Sequence, residues 1–241
     1  MNVYLFEFIG TAVLILLGNG VVANLVLKDT KGGNLGWVGI SLAWGMAVFC
    51  GVFISADVSG AHINPAVTFG LAIAGKFDWG LVPGYFIAQI LGAMMGNLLV
   101  WLTYKKHYEA TTDQPAILAT FSTAPAIRNP FWNFVTEAIG TFLLVFGVFF
   151  IAGGSMGDES ISLGSLDALP VALLVIGIGF SLGGPTGYAI NPARDLGPRI
   201  MHTILPIKNK GSSDWKYAWV PILGPLFGGL LAALVFLGIN M

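Results

Sequence analysis

Asn64-Pro65-Ala66 and Asn191-Pro192-Ala193 are one tripeptide used twice, 127 residues apart, each time after small residues: "SGAHINPAVT" (59–68) and "TGYAINPARD" (186–195). A primary amide carries two N–H donors and an acceptor oxygen, and proline suits the first position of a helix. Each asparagine can therefore cap a helix and still present a donor to a polar solute. Arg194 follows the second copy and offers a fork of donors with no acceptor. Donors and positive charge of this kind favour neutral oxygen-bearing molecules and oppose cations and protons. Asp57, Ser59 and His62 lie near the first copy, but no nucleophile-elbow sequence accompanies them. His62 has no carboxylate or second histidine at useful local spacing, so a pore-loop role is expected for it rather than metal ligation or base catalysis. Neither an enzyme nor a cofactor site is indicated.

The elements that must hold these residues are membrane spans. The chain has 241 residues, 56% hydrophobic and only 10% charged, with a net charge of −1. A soluble domain has about 25% charged residues, so this chain has too few to cover a wet surface. Apolar stretches of bilayer-spanning length, about 20 residues, are expected at 4–27, 35–56, 81–103, 132–153, 168–184 and 217–238. The fifth is the shortest and runs into Gly183 and Gly184. No cleavable signal peptide is expected, because Glu7 interrupts the start and no basic residue precedes the first span. Cys50 is the lone cysteine, which excludes an intramolecular disulfide.

The halves repeat. "EFIGT" at Glu7–Thr11 returns as "EAIGT" at Glu137–Thr141, and "QILGAMMG" at Gln89–Gly96 as "PILGPLFG" at Pro221–Gly228. We read one domain over 1–241, with repeat one at about 1–105, a connecting loop at about 105–131 and repeat two at about 132–241. Three spans per repeat place the second repeat upside down relative to the first, a plan common in transport proteins. The Asn-Pro-Ala segments are too short to cross: Asn64 to Ala74 is 11 residues, or about 16 Å of helix against a core of about 30 Å. Two half-helices entering from opposite faces and meeting near the midplane satisfy this, with their preceding loops lining a pore. Glu7 and Glu137, carboxylates within spans, are candidates for a proton relay. Their repeat-related positions favour support of the two loops instead. Gly92/Gly96 and Gly224/Gly228 have the spacing of close helix contacts.

This pattern closely resembles the aquaporin and glycerol-facilitator (major intrinsic protein) family over essentially the whole chain. The resemblance implies an all-α integral membrane fold of six transmembrane helices and two re-entrant half-helices, assembled as a homotetramer in membrane lipid. Asp195 after "NPAR", Arg199, and Pro221-Ile222 resemble the aquaglyceroporin branch. By motif spacing that branch's selectivity filter maps to Trp44, Gly179, Tyr188 and Arg194. Arg194 would bind hydroxyl oxygens, Trp44 and Tyr188 would form an apolar corner, and Gly179 would leave space for a three-carbon solute. Carbonyls of Gly60, Ala61, His62, Gly187, Tyr188 and Ala189 would accept hydroxyl hydrogens. Tyr188 departs from the phenylalanine of the best-known glycerol facilitators.

The implied function is passive diffusion of glycerol and other small neutral solutes, with water, without nucleic acid or cofactor. Dihydroxyacetone or undissociated lactic acid, which some relatives pass, are alternative solutes. An ion-coupled secondary transporter also has inverted repeats, but spare intramembrane charges for coupling are lacking. The resemblance further implies a cell-membrane protein with cytoplasmic termini. That puts Lys28, Lys31, Lys105, Lys106, Arg128, Lys208, Lys210 and Lys216 outside and Lys76 inside, whereas the positive-inside rule predicts the reverse. Lys105, Lys106, Lys208, Lys210 and Lys216 are expected in solvated loops, and His107 and His202 in loops near the interface.

Overall fold

Where lipid replaces water, backbone polar groups must be satisfied within the protein, and long apolar stretches therefore close into helices. A computed structural model describes residues 2–151, 155–156, 159–160 and 164–240. Its long helices are α1 (Val3–Val26), α2 (Gly36–Ser59), α4 (Val82–Thr103), α7 (Pro130–Ile151), α8 (Leu169–Leu182) and α10 (Val220–Ile239). The half-helices are α3 (Pro65–Ile73) and α9 (Pro192–Ile204). Local signals fix the starts. Asn2 caps α1 through Oδ1 to the Tyr4 N–H at 3.0 Å, and α3, α4, α8, α9 and α10 each carry proline in their first turn.

All six expected spans are matched by helices; residues 152 and 153, the end of the fourth, lie outside the described residues. With 14 residues, α8 is only about 21 Å long. The 3₁₀ turn Gly164–Ala168 before it adds about 10 Å. A two-rung antiparallel pair, Ser155–Met156 with Glu159–Ser160, is the sole strand element among the described residues.

Packing follows the repeat. α1 lies against α2 and α4, and α7 against α8 and α10. Across the halves α2 meets α8, α3 meets α10, and α9 meets α4. Small residues permit the closest crossings. A Cβ added at Gly92 or Gly96 would fall 2.3 Å from Phe8 O or 2.4 Å from Ala12 O. One at Gly228 would fall 2.3 Å from Ala138 O, and one at Gly224 2.8 Å from Glu137 Cβ. Leu42, Met46, Ile87, Leu91, Leu143 and Leu173 face outward, while Glu7, Gln89, Asn97 and Glu137 are buried. The apolar exterior and polar interior suit a lipid surround.

Two expectations are corrected, the loop positions of His107 and His202. The connecting loop contains two short helices, α5 (Lys105–Ala110) and α6 (Gln114–Ala119). His107 is on α5, where its Nδ1 meets Lys28 O at 2.9 Å. His202 is fully buried on α9, because that half-helix runs on to Ile204 and folds the ring under Ser213 (Nδ1 to Oγ 2.7 Å). Lys210 is not merely solvated: its Nζ donates to Thr203 O at 2.6 Å and Leu205 O at 2.7 Å. The cation satisfies carbonyls left free at the end of α9.

Candidate functional site

The half-helices meet tip to tip. Asn64 Oδ1 accepts the Ala66 N–H at 2.9 Å, and its Nδ2 donates across the junction to Ile190 O at 2.8 Å. Asn191 mirrors this, with Oδ1 accepting from Ala193 N (3.0 Å) and Nδ2 donating to Ile63 O (2.9 Å). One N–H of each amide is thus committed to the opposite loop, and the second remains for a solute. The positive ends of two helix dipoles converge at this point.

The loops before the asparagines hold unusual backbone. Gly60, Ala61 and Ile63 have φ of 77°, 50° and 42°, and Gly187, Tyr188 and Ile190 have 80°, 36° and 42°. Left-handed conformations at bulky residues persist only where surroundings enforce them. The buried glutamates supply that enforcement. Glu7 accepts the N–H groups of His62 (2.9 Å) and Ile63 (2.7 Å), the Ser59 hydroxyl (2.7 Å) and Gln89 Nε2 (2.7 Å). Glu137 accepts the N–H groups of Ala189 (3.0 Å) and Ile190 (2.8 Å). With the N–H groups drawn to the glutamates, backbone carbonyls are left for the opposite side. His62 is fixed further by Thr68 Oγ1 at its Nδ1 (3.0 Å) and by the rings of Phe77 and Tyr85.

Two cavities share the asparagine pair. A wider one of about 180 Å³ is lined by Gly60, Ala61, His62 and Ile63 with apolar residues of α1, α2, α7 and α8. A narrower one of about 40 Å³ is lined by Trp44, Tyr188, Ala189, Ile190 and Arg194. The second has room for only a few water molecules, at about 10–15 Å³ each. The path is therefore tightest beside the arginine. There the Arg194 guanidinium lies 4.4 Å from the centre of the Trp44 ring, a cation–π contact. Gly18 makes space for that ring, since a Cβ there would fall 2.4 Å from Trp44 Cζ3.

Two of the expected site residues stand back from the path. Gly179 lines neither cavity: a Cβ there would meet Ser41 Oγ at 2.9 Å and Tyr188 Cζ at 3.1 Å. The room left by its missing side chain is shared by Ser41 and the Tyr188 ring, so its effect on width is indirect. Tyr188 packs edge-on against Trp37, whose Nε1 donates to Gly179 O at 2.9 Å. Gly187 also lines neither cavity and sits against Thr123.

Sequence reasoning missed several participants. The Ile63 and Ile190 carbonyls are backbone atoms, and the signal that could have found them is their place one residue before each asparagine. The Phe121 carbonyl accepts from Arg194 Nη1 at 3.4 Å across 73 residues of sequence, which no local pattern announces. Asp195 and Arg199 form a fully buried ion pair, with Asp195 Oδ1 2.7 Å from both Nε and Nη2. Asp195 Oδ2 also takes the Thr123 N–H and hydroxyl at 2.8 Å each, while Arg199 donates to the Thr123, Ser213 and Asp214 carbonyls. The pair ties two connecting segments to α9.

Comparisons with known proteins agree with this architecture. The family model described as major intrinsic protein matches residues 1–236. The chain is 56% identical to "Glycerol uptake facilitator protein 3" of Lactiplantibacillus plantarum, covering 95% of this chain and 93% of the relative. It is 55% identical to "Probable glycerol uptake facilitator protein" of Thermotoga maritima, covering 98% of each. Among solved structures, the aquaglyceroporin from Plasmodium falciparum superposes with a TM-score of 0.83 at 34% identity, covering 97% of this chain and 93% of that one.

Proposed function

Since the chain belongs to the major intrinsic protein family, we propose that it is a passive membrane channel for glycerol and other small neutral solutes, passing water as well and excluding ions and protons. Relatives covering nearly its full length carry the name glycerol uptake facilitator. The observation that carries the reading in this chain is the narrow cavity where Arg194 stacks on Trp44 beside the Ala189 and Ile190 backbone. A polyol has hydroxyl groups on one edge and C–H groups on the other. Arg194 donates to hydroxyl oxygens, loop carbonyls accept hydroxyl hydrogens, and the aromatic surface of Trp44 meets the carbon edge. Tyr188 fixes the opposite corner, with Gly179 accommodating its ring.

The free N–H groups of Asn64 and Asn191 orient solute oxygens at the midplane. Helix dipoles and the Arg194 charge oppose cations there, and a file of waters whose oxygens face both amides cannot relay protons through that point. Glu7 and Glu137 hold the carbonyl-bearing loops. A homotetramer with both termini in the cytoplasm belongs to the same reading through the family's general plan. Stopped-flow light scattering on reconstituted vesicles tests the solute assignment with water, glycerol, dihydroxyacetone and lactic acid. Glycerol flux well above that of protein-free vesicles is expected. Water or lactic acid flux without glycerol flux would overturn the assignment.

A further inference from the structure

Asn19 and Asn97 are fully buried in mid-helix, on α1 and α4. Polar side chains inside a membrane are costly unless they serve a contact. Asn19 Nδ2 donates to Asn97 Oδ1 at 2.5 Å and to Phe121 O at 3.0 Å. That Phe121 carbonyl is the one that accepts from Arg194 Nη1. The amide orientation is dictated by this arrangement, because an Asn19 turned the other way would set oxygen against the Phe121 oxygen. The repeat offers a control. Offsets of 130 and 132 residues place Phe149 and Gly229 opposite Asn19 and Asn97 in the second half. The amide pair is therefore not part of the duplicated frame. It occurs only in the half where the connecting segment descends onto the narrow cavity.

We infer that Asn19 is a positioning residue for solute selection: held by Asn97, it fixes the Phe121 carbonyl and through it the Arg194 guanidinium. This rests on the channel reading above. Phe121 is held in other ways as well: its N–H donates to Leu118 O at 2.9 Å, its ring packs against Tyr108 and His202, and Asp195 anchors Thr123 two residues on. Asn19 holds the carbonyl itself, so its loss loosens one of the contacts on the guanidinium, which keeps its place on Trp44, without dismantling the loop. Glycerol needs oriented donors in place of its hydration shell, whereas water passes with fewer.

The test is the glycerol-to-water permeability ratio of the full chain in vesicles, with Arg194→Ala as a filter control. Asn19→Leu is expected to lower the ratio about fivefold, the effect of one net hydrogen bond. Asn97→Leu leaves the Asn19–Phe121 bond in place and removes only the hold on Asn19, so it is expected to lower the ratio clearly less than Asn19→Leu does. If the pair only joins α1 to α4, both variants behave alike, and that result overturns the inference. Should Asn19→Leu fail to assemble, Asn19→Ser, too short to reach Phe121, carries the same expectation. A parent ratio in the assembled variant sinks the inference while leaving the channel reading intact. Absence of glycerol flux in the parent sinks the channel reading itself.

Discussion

Replacing Glu137 by glutamine probes how the loop before Asn191 is kept in its strained form. The two carboxylate oxygens each take one backbone N–H, from Ala189 and Ile190. Glutamine keeps one oxygen and turns an NH₂ group towards the other N–H, which cannot reorient. One hydrogen bond to a charged group is lost and one buried donor is orphaned, together about 3–5 kcal/mol. Tyr188 and Ile190, with φ of 36° and 42°, store strain of about 1–3 kcal/mol each. The loss is as large as the strain it was holding, so the loop relaxes. Ile190 O then leaves the Asn64 amide, and the Tyr188–Arg194 wall shifts. Glycerol and water permeability per assembled protein should both fall about tenfold or more, since 1.4 kcal/mol is already tenfold. Stopped-flow light scattering on vesicles normalised for assembled protein measures this, and thermal unfolding in detergent should show a lower midpoint. Glu7→Gln should act in the same direction, because its two oxygens likewise each take a backbone N–H, from His62 and Ile63. Parent-like permeability and stability in Glu137→Gln would refute the idea that the carboxylate shapes the loop.

Further expectations concern the filter and its support. Arg194→Ala removes the charge stacked on Trp44 and should raise proton leak and admit bulkier neutral solutes, read by a pH-sensitive dye and a polyol series; no change in either would remove Arg194 from the filter. Gly179→Ala puts a methyl group 2.9 Å from Ser41 Oγ and 3.1 Å from Tyr188 Cζ, so the serine hydroxyl turns away and the ring is pressed towards the narrow cavity it lines. Glycerol flux should drop more than water flux; an equal drop in both would indicate a packing role alone. Asp195→Asn leaves the buried Arg199 charge without its counter-ion and should destabilise the fold by about 3–5 kcal/mol, seen as a lower unfolding midpoint; an unshifted midpoint would show that the carbonyls around Arg199 suffice.

Much of this frame was legible in the residues. Asn64, Asn191, Glu7 and Glu137 are chemically distinctive, and their similar spacing in the two halves, 57 and 54 residues, predicted loops, half-helices and supports together. The six apolar runs located the long helices because burial in lipid makes hydropathy an almost sufficient signal. What escaped was carried by backbone atoms or by vacancies. Phe121 contributes a carbonyl, which any residue has, from a distant segment. Gly179 advertises an empty space without saying which neighbour fills it, and the neighbours are Ser41 and Tyr188 rather than the path. His202 was misread because it falls in the last turn of α9 and its partner Ser213 comes from the following loop, a pairing that no local pattern announces.

The central claim is that glycerol moves through this protein passively. Vesicles loaded with the purified chain should equilibrate a glycerol gradient at a rate proportional to the amount of protein, in either direction. Imposed proton or sodium gradients should leave the end point unchanged. Accumulation of glycerol above its external concentration under either ion gradient would contradict the account.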